Sequence, residues 1–363
     1  MKRPSGIGAA LLAAMLFGTS APFAKLLLRD ATPQLLAGLL YAGSGLGLLA
    51  VWLVRRKKDT TNEPRLTRED ARWLAGAIAM GGVVGPVLLM TGLSRTPASA
   101  ASLLLNLEGV FTALLAWFVF RENFDRRVAL GMAAILVGGV SLSWEGRLAW
   151  GGATGPLLVA GACLAWAVDN NLTQKVSAGD PAQIAMIKGL VAGAVNTGIA
   201  LALGAHLPSG ERTAGAMLLG FFCYGVSLVL FVLALRQLGT ARTAAYFSTA
   251  PFVGAVVSLI VFRERPTAAL LTAAALMGLG VWLHLSEQHE HEHHHEPMEH
   301  EHAHVHDAHH QHLHGPDDPL ITDPSPHSHH HRHDAMAHTH AHYPDLHHRH
   351  GHEHAGENRG EVA

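Results

Sequence analysis

Apolar runs of roughly 18–24 residues, separated only by short charged or Pro/Gly breaks, follow one another from Ile7 to Leu285, and about 20 such residues at 1.5 Å rise each span a hydrocarbon core of about 30 Å. A helix on a globular surface needs polar residues every few positions. These runs lack them, so the chain reads as an all-α membrane protein that crosses the bilayer many times. Composition changes abruptly near Ser286: Leu, Ala, Gly and Val dominate before it, and a polar tail holding 26 of the 28 histidines follows.

Ten helices are predicted, near residues 6–28, 34–54, 72–93, 97–119, 127–144, 151–174, 181–204, 213–235, 241–262 and 266–285. Pro33, Pro97, Pro181 and Pro266 stand at or near helix starts, where a missing N–H costs nothing. Pro22, Pro86 and Pro251 fall inside helices and mark candidate kinks. Lys2 and Arg3 before the first apolar run suggest a signal peptide, but the run continues to Leu28 and nine more follow, so a retained first helix is expected. Cys163 and Cys223 both lie in apolar runs and imply no disulfide framework.

With the N-terminus in the cytoplasm, the inner segments carry 15 Lys and Arg and the outer segments 7. Basic residues accumulate on the cytoplasmic side, which favours this orientation; most of the bias comes from residues 55–72. An even number of spans returns the tail to the cytoplasm.

An internal repeat is visible. Phe111-Thr-Ala-Leu-Leu-Ala-Trp-Phe-Val-Phe-Arg-Glu122 closes the fourth predicted helix, and Phe252-Val-Gly-Ala-Val-Val-Ser-Leu-Ile-Val-Phe-Arg-Glu264 closes the ninth. Two copies of a five-helix unit must insert in opposite orientations, which is the inverted-repeat plan of secondary transporters. The halves resemble tandem EamA domains of the drug/metabolite transporter superfamily, over roughly residues 6–284. That resemblance implies ten helices, both termini inside, and export or exchange of small metabolites. The chain divides into a first five-helix repeat (1–146), a second (147–286) and a disordered His-rich tail (287–363). One departure stands out. Many members have a proline in helix 4 where this chain reads Asn106-Leu-Glu108, whereas the second half keeps Pro251.

Polar groups within the hydrocarbon are costly and tend to face protein or water. Glu108 lies roughly 16 Å beyond Pro97 at 1.5 Å per residue, near the midplane. It can serve as a proton-titrating coupling site, as a ligand for a cationic solute, or as a structural carboxylate. Asp169 and Lys188 stand about ten residues before and nine after the turn at Gly179, hence at similar depth. They form a candidate pair, structural or gating. Asn170, Asn171 and Gln174 make the inner end of helix 6 polar, and Asn106 and Asn196 add hydrogen-bonding capacity near the middle. Gly43/Gly47, Gly81/Gly85 and Gly189/Gly193 have the small-xxx-small spacing that lets helices approach closely.

The tail carries His289, His291, His293, His294, His295, His300, His302, His304, His306, His329, His330 and His331 among interspersed Glu, Asp and Ala. Imidazole suits Zn, Ni, Cu and Co, so the tail is expected to bind divalent metal; no cofactor is otherwise required. With six prolines and no apolar periodicity, it should lack regular structure without metal.

The expected function is secondary transport, as an exporter of a small metabolite across a bacterial inner membrane. A divalent-cation exporter with the tail as buffer or sensor is the alternative, and a non-transporting membrane metal sensor a further one. No helix-borne His-Glu-x-x-His occurs in the spans, so an enzyme is not expected. The expected partners are the lipid bilayer and a small-molecule or cation substrate; nucleic acid is excluded and a homodimer is left open.

Overall fold

Hydrocarbon offers a backbone no water to bond, so long apolar runs close their hydrogen bonds within helices, and every regular element among the described residues up to Leu285 is helical. The computed structural model describes residues 6–55, 68–120, 126–143, 153–174, 176, 180–238, 243 and 246–285, and four short stretches of the tail.

The first half contains α1 (Gly6–Gly18), α2 (Ser20–Leu27), α3 (Pro33–Arg55), α4 (Arg68–Ala77), α5 (Gly85–Arg95), α6 (Ala98–Leu104), α7 (Leu107–Phe120) and α8 (Arg126–Ser143). The second contains α9 (Thr154–Gln174), α10 (Pro181–Ala202), α11 (Gly210–Gly220), α12 (Ser227–Leu238), α13 (Ala250–Phe262) and α14 (Ala268–Leu285). Among the described residues, five helices are long and apolar enough to cross a membrane: Gly6–Leu27, Pro33–Val54, Asp70–Arg95, Ala182–Ala202 and Gly210–Phe231. Shorter apolar helices occupy Ala129–Leu142, Ala250–Phe262 and Ala268–Leu283.

Three predicted helices are interrupted. The run expected over 97–119 breaks between α6 and α7. There Asn106 Nδ2 donates to Leu103 O at 3.0 Å, a local side-chain bond that competes with the helical ladder. The other two runs contain π-helical segments, Ile78–Val84 between α4 and α5 and Phe221–Val226 between α11 and α12. A π turn spoils the i→i−4 ladder, and carbonyls of the first segment take side-chain donors instead. Gly81 O accepts from Tyr41 Oη at 2.8 Å and Trp166 Nε1 at 2.9 Å, and Gly82 O from Asn196 Nδ2 at 2.8 Å. The prolines expected at kinks stand just past interruptions: Pro22, Pro86 and Pro251 lie in the first turns of α2, α5 and α13.

Packing pairs α3 with α10, α8 with α14, α5 with α9, α1 with α12, α7 with α9, and α13 with α6 and α1. At the α3–α10 crossing the backbones touch: a Cβ on Gly45 would lie 2.4 Å from Leu190 N, and one on Gly189 2.6 Å from Gly45 N. The core is built from Leu35, Leu36, Leu40, Leu89, Met90 and Leu93 among others, all fully buried.

Four stretches of the tail, expected to lack regular structure, are extended and paired. β1 (Glu290–His295) runs antiparallel to β4 (Met336–Ala341), and β2 (Met298–His304) to β3 (His327–His333). Alternation of His with Glu, Ala, Ser or Thr has the two-residue period of a strand, and the register sets His opposite His, as at His293↔His338 and His302↔His329. His289 and His306 lie outside the described residues.

Candidate functional site

The break at Asn106 starts α7 at Leu107, which puts Glu108 in that helix's first turn. Unpaired N–H groups and the positive end of the helix dipole favour a carboxylate there. Glu108 is half-buried. Its Oε1 accepts from Asn170 Nδ2 of α9 at 2.9 Å, and the same amide lies 3.4 Å from Thr112 Oγ1, one turn further along α7.

One residue earlier on α9, Asp169 meets α10. Lys188 Nζ lies 2.6 Å from its Oδ1 and 2.7 Å from its Oδ2, and also donates to Thr173 Oγ1 at 3.2 Å. Thr173 in turn donates to Asp169 Oδ1 at 2.8 Å. The two charged side chains are only 15% and 9% exposed, so each is the other's neutralising partner. Glu108, Asp169 and Lys188 lie within electrostatic range of one another.

The π-helical segment forms the floor beside this pair. A Cβ on Gly81 would stand 1.8 Å from Asp169 Oδ2, so the carboxylate packs directly on the backbone there. On the Gly81 carbonyl sit Tyr41 and Trp166, and Tyr41 is within electrostatic range of both Asp169 and Glu108. From Tyr41 a chain of half-buried rings runs across the halves. Tyr41 and Tyr224 have centroids 5.6 Å apart, Phe17 lies 5.9 Å from Tyr224, and Phe247 lies 5.5 Å from Phe17.

Of the five residues singled out in the sequence, the structure brings Glu108, Asp169 and Lys188 into one neighbourhood and sets the two asparagines elsewhere. Buried Asn196 accepts from Gln34 Nε2 at 2.9 Å and donates to Gly82 O, tying α10 to α3 and to the π-helical segment. Buried Asn106 holds the carbonyl of Leu103 and approaches Met277 Sδ at 3.9 Å. Sequence reasoning missed Thr173, Tyr41 and Tyr224. Thr173 carried a signal, standing one helical turn after Asp169; the tyrosines did not, because their place depends on which helices meet.

A second cavity, of about 1030 Å³, is lined by Lys25, Arg95, Thr96, Ser99, Glu264 and Arg265 among others. Its Glu264 caps α6: Oε1 accepts from Ala98 N at 3.1 Å, and Oε2 from Ser99 N at 3.3 Å and from Ser99 Oγ. Arg263, in left-handed conformation with φ 52°, ends α13 just before it. The expected helix-end role of Glu264 is met, on a helix of the other half. Glu122 lies outside the described residues. Nearby, Lys25 Nζ donates to Thr96 O, and Arg212 pairs with Asp30 at 2.9 Å. Among the described residues no three His, Cys, Asp or Glu side chains converge to hold a metal ion.

Membrane-length helices around a polar, charged interior define a multi-pass membrane transporter. Residues 4–144 and 153–286 each match the EamA-like transporter family, and the chain belongs to that family. Its members are transporters rather than enzymes, with the lipid bilayer as surroundings and a small molecule as substrate. The chain is 30% identical over 279 residues to an uncharacterized transporter of Methanothermobacter thermautotrophicus, a match covering 73% of this chain and 81% of that one. A protein of known crystal structure shares the fold at TM-score 0.57 and 18% identity, over 76% of this chain and 94% of its own.

Proposed function

We propose that the chain is a secondary transporter that exports a small metabolite across a bacterial cytoplasmic membrane by alternating access, with both termini in the cytoplasm. On this reading ten spans form two inverted five-helix halves. The pattern of interruptions and contacts supports it. The third and eighth spans each carry a π-helical segment. The pairing of α5 with α9 has its counterpart in α12 with α1, while α3–α10 and α8–α14 join equivalent spans.

The observation that carries the proposal is Glu108: a half-buried carboxylate at a mid-span helix break, hydrogen-bonded to Asn170. Broken helices whose N-terminal ends face a cavity are where such carriers hold solutes or coupling ions. Asp169 and Lys188 form the adjoining element, linking α9 to α10 as the halves rock. The test is solute counterflow in proteoliposomes of the full chain, across amino acids, sugars and amines, with Glu108→Gln beside it. Flux of at least one solute, lost in the variant, is expected; a native chain that carries none would refute carriage.

The histidine density of the tail favours one second reading, a Zn, Ni or Co exporter buffered by that tail. It is tested by metal accumulation in exporter-deficient cells expressing the full chain, a chain ending at Ser286, or Glu108→Gln. Lower accumulation that depends on Glu108 supports metal export. Equal accumulation in all cells, empty ones included, rejects it and leaves the tail as a metal-binding appendage.

A further inference from the structure

The charge balance around Glu108 narrows the solute, given that the chain is a transporter. Lys188, taken alone, would repel a cation. In the structure it is clasped by both oxygens of Asp169 and by Thr173, so the pair sums to zero. The cluster of Glu108, Asp169 and Lys188 is left with one uncompensated negative charge, on Glu108. Asn170 occupies Oε1; among the described residues nothing donates to Oε2. Such a carboxylate leaves an anionic solute unfavourable, since like charges in a low-dielectric interior repel strongly. A bare divalent ion needs several converging ligands, and none converge among the described residues.

The surroundings then specify the rest of the solute. Tyr41 spends its hydroxyl on Gly81 O, and Tyr224 shares a hydrogen bond with Ser20. What these residues offer a cavity is their ring faces, 5.6 Å apart at the centroids and inclined by 41°, with Phe17 beside them. An aromatic face attracts a cation through its quadrupole and covers an apolar body as well. Tyr41 belongs to the first half and Tyr224 to the second, so a solute resting on both would be released when the halves part. The outer cavity sets Lys25, Arg95 and Arg265 against Glu264 alone, and that carboxylate is engaged at the start of α6. It offers a cation no second holding point.

We propose that the solute is a monovalent organic cation with a flat or aromatic body, its charged group on Glu108 and its body against Tyr41 and Tyr224.

Equilibrium binding to the purified full chain in detergent tests this, with tetraphenylphosphonium as the cation and tetraphenylborate as the anion of the same shape. Saturable phosphonium binding is expected, with no saturable borate binding. Glu108→Gln should weaken the phosphonium at least about tenfold, as loss of a charged partner does, and Tyr224→Leu about threefold to tenfold, as loss of one ring face does. Glu108→Asp, which keeps the charge, should bind more tightly than Glu108→Gln; with all variants monodisperse and melting cooperatively, this separates the charge from misfolding. Equal binding of both ions, no phosphonium binding, or binding indifferent to Glu108→Gln overturns the proposal. Counterflow of neutral or anionic solutes without phosphonium binding would leave the carrier standing and remove the cation. Phosphonium binding with no flux of any solute would do the reverse.

Discussion

Lys188 of α10 reaches across to both carboxylate oxygens of Asp169 on α9, at 2.6 and 2.7 Å, in a region where neither side chain is more than 15% exposed. A charge pair at that depth is weak evidence of stability but strong evidence of mutual dependence, because removing one member leaves the other buried and uncompensated.

Single substitutions should therefore cost more than the double. Lys188→Met alone and Asp169→Asn alone are each expected to lose about 3–5 kcal/mol, and the combined variant distinctly less than their sum. Unfolding of the purified protein in detergent, analysed as a double-mutant cycle, measures this. Strict additivity would mean that the two groups do not sense each other.

Glycine replacements should divide by what a methyl group meets. At Gly81 a Cβ would fall 1.8 Å from Asp169 Oδ2, whereas at Gly198 nothing lies within 4 Å. Gly81→Ala is expected to cost about 3 kcal/mol through overpacking. Gly198→Ala should be neutral, or stabilising by up to about 1 kcal/mol from reduced chain entropy. Thermal midpoints of the two variants decide it.

Glu264 should matter for stability from outside the central site. Glu264→Ala removes the acceptor for Ala98 N, Ser99 N and Ser99 Oγ and is expected to cost about 1–2 kcal/mol, as loss of a helix cap does. Glu264→Gln, which keeps an acceptor, should fall between Ala and native. Equal midpoints for Ala and native would show that the cap is redundant.

Ending the chain at Ser286 should abolish retention on immobilised nickel while leaving the melting of the helical part unchanged. Imidazole binds metal only when neutral, and its ordinary pKa is about 6.5. Retention of the full chain should therefore be strong above that pH and fall away as protons compete below it. Retention by the shortened chain would move the metal site into the helices.

The depth of the charged groups was legible in the sequence; their partners were legible only in part. Asp169 and Lys188 flank one short turn, and equal residue counts on two antiparallel helices mean equal depth, so the pair could be read by counting. Glu108 could be placed deep for the same reason. Asn196, eight residues beyond Lys188, read as a lining group on Lys188's face, but it bonds Gln34 and Gly82. Spacing along one helix gives relative phase, and what each face meets is decided by neighbours far away in the chain. The π-helical segments were less visible still. Ile-Ala-Met-Gly-Gly-Val-Val at Ile78–Val84 has the composition of an ordinary apolar helix, and its extra turn exists because Tyr41, Trp166 and Asn196 supply donors from three other helices.

That floor beneath the ion pair also constrains descent. With Gly81 in van der Waals overlap range of the Asp169 carboxylate, any lineage that acquires a side chain at position 81 must first shorten or move the one at 169. Losing Asp169 strands Lys188 in turn. Positions 81, 169 and 188 therefore form one heritable unit, expected to drift together or stay fixed together while the lipid-facing helix surfaces around them diverge freely.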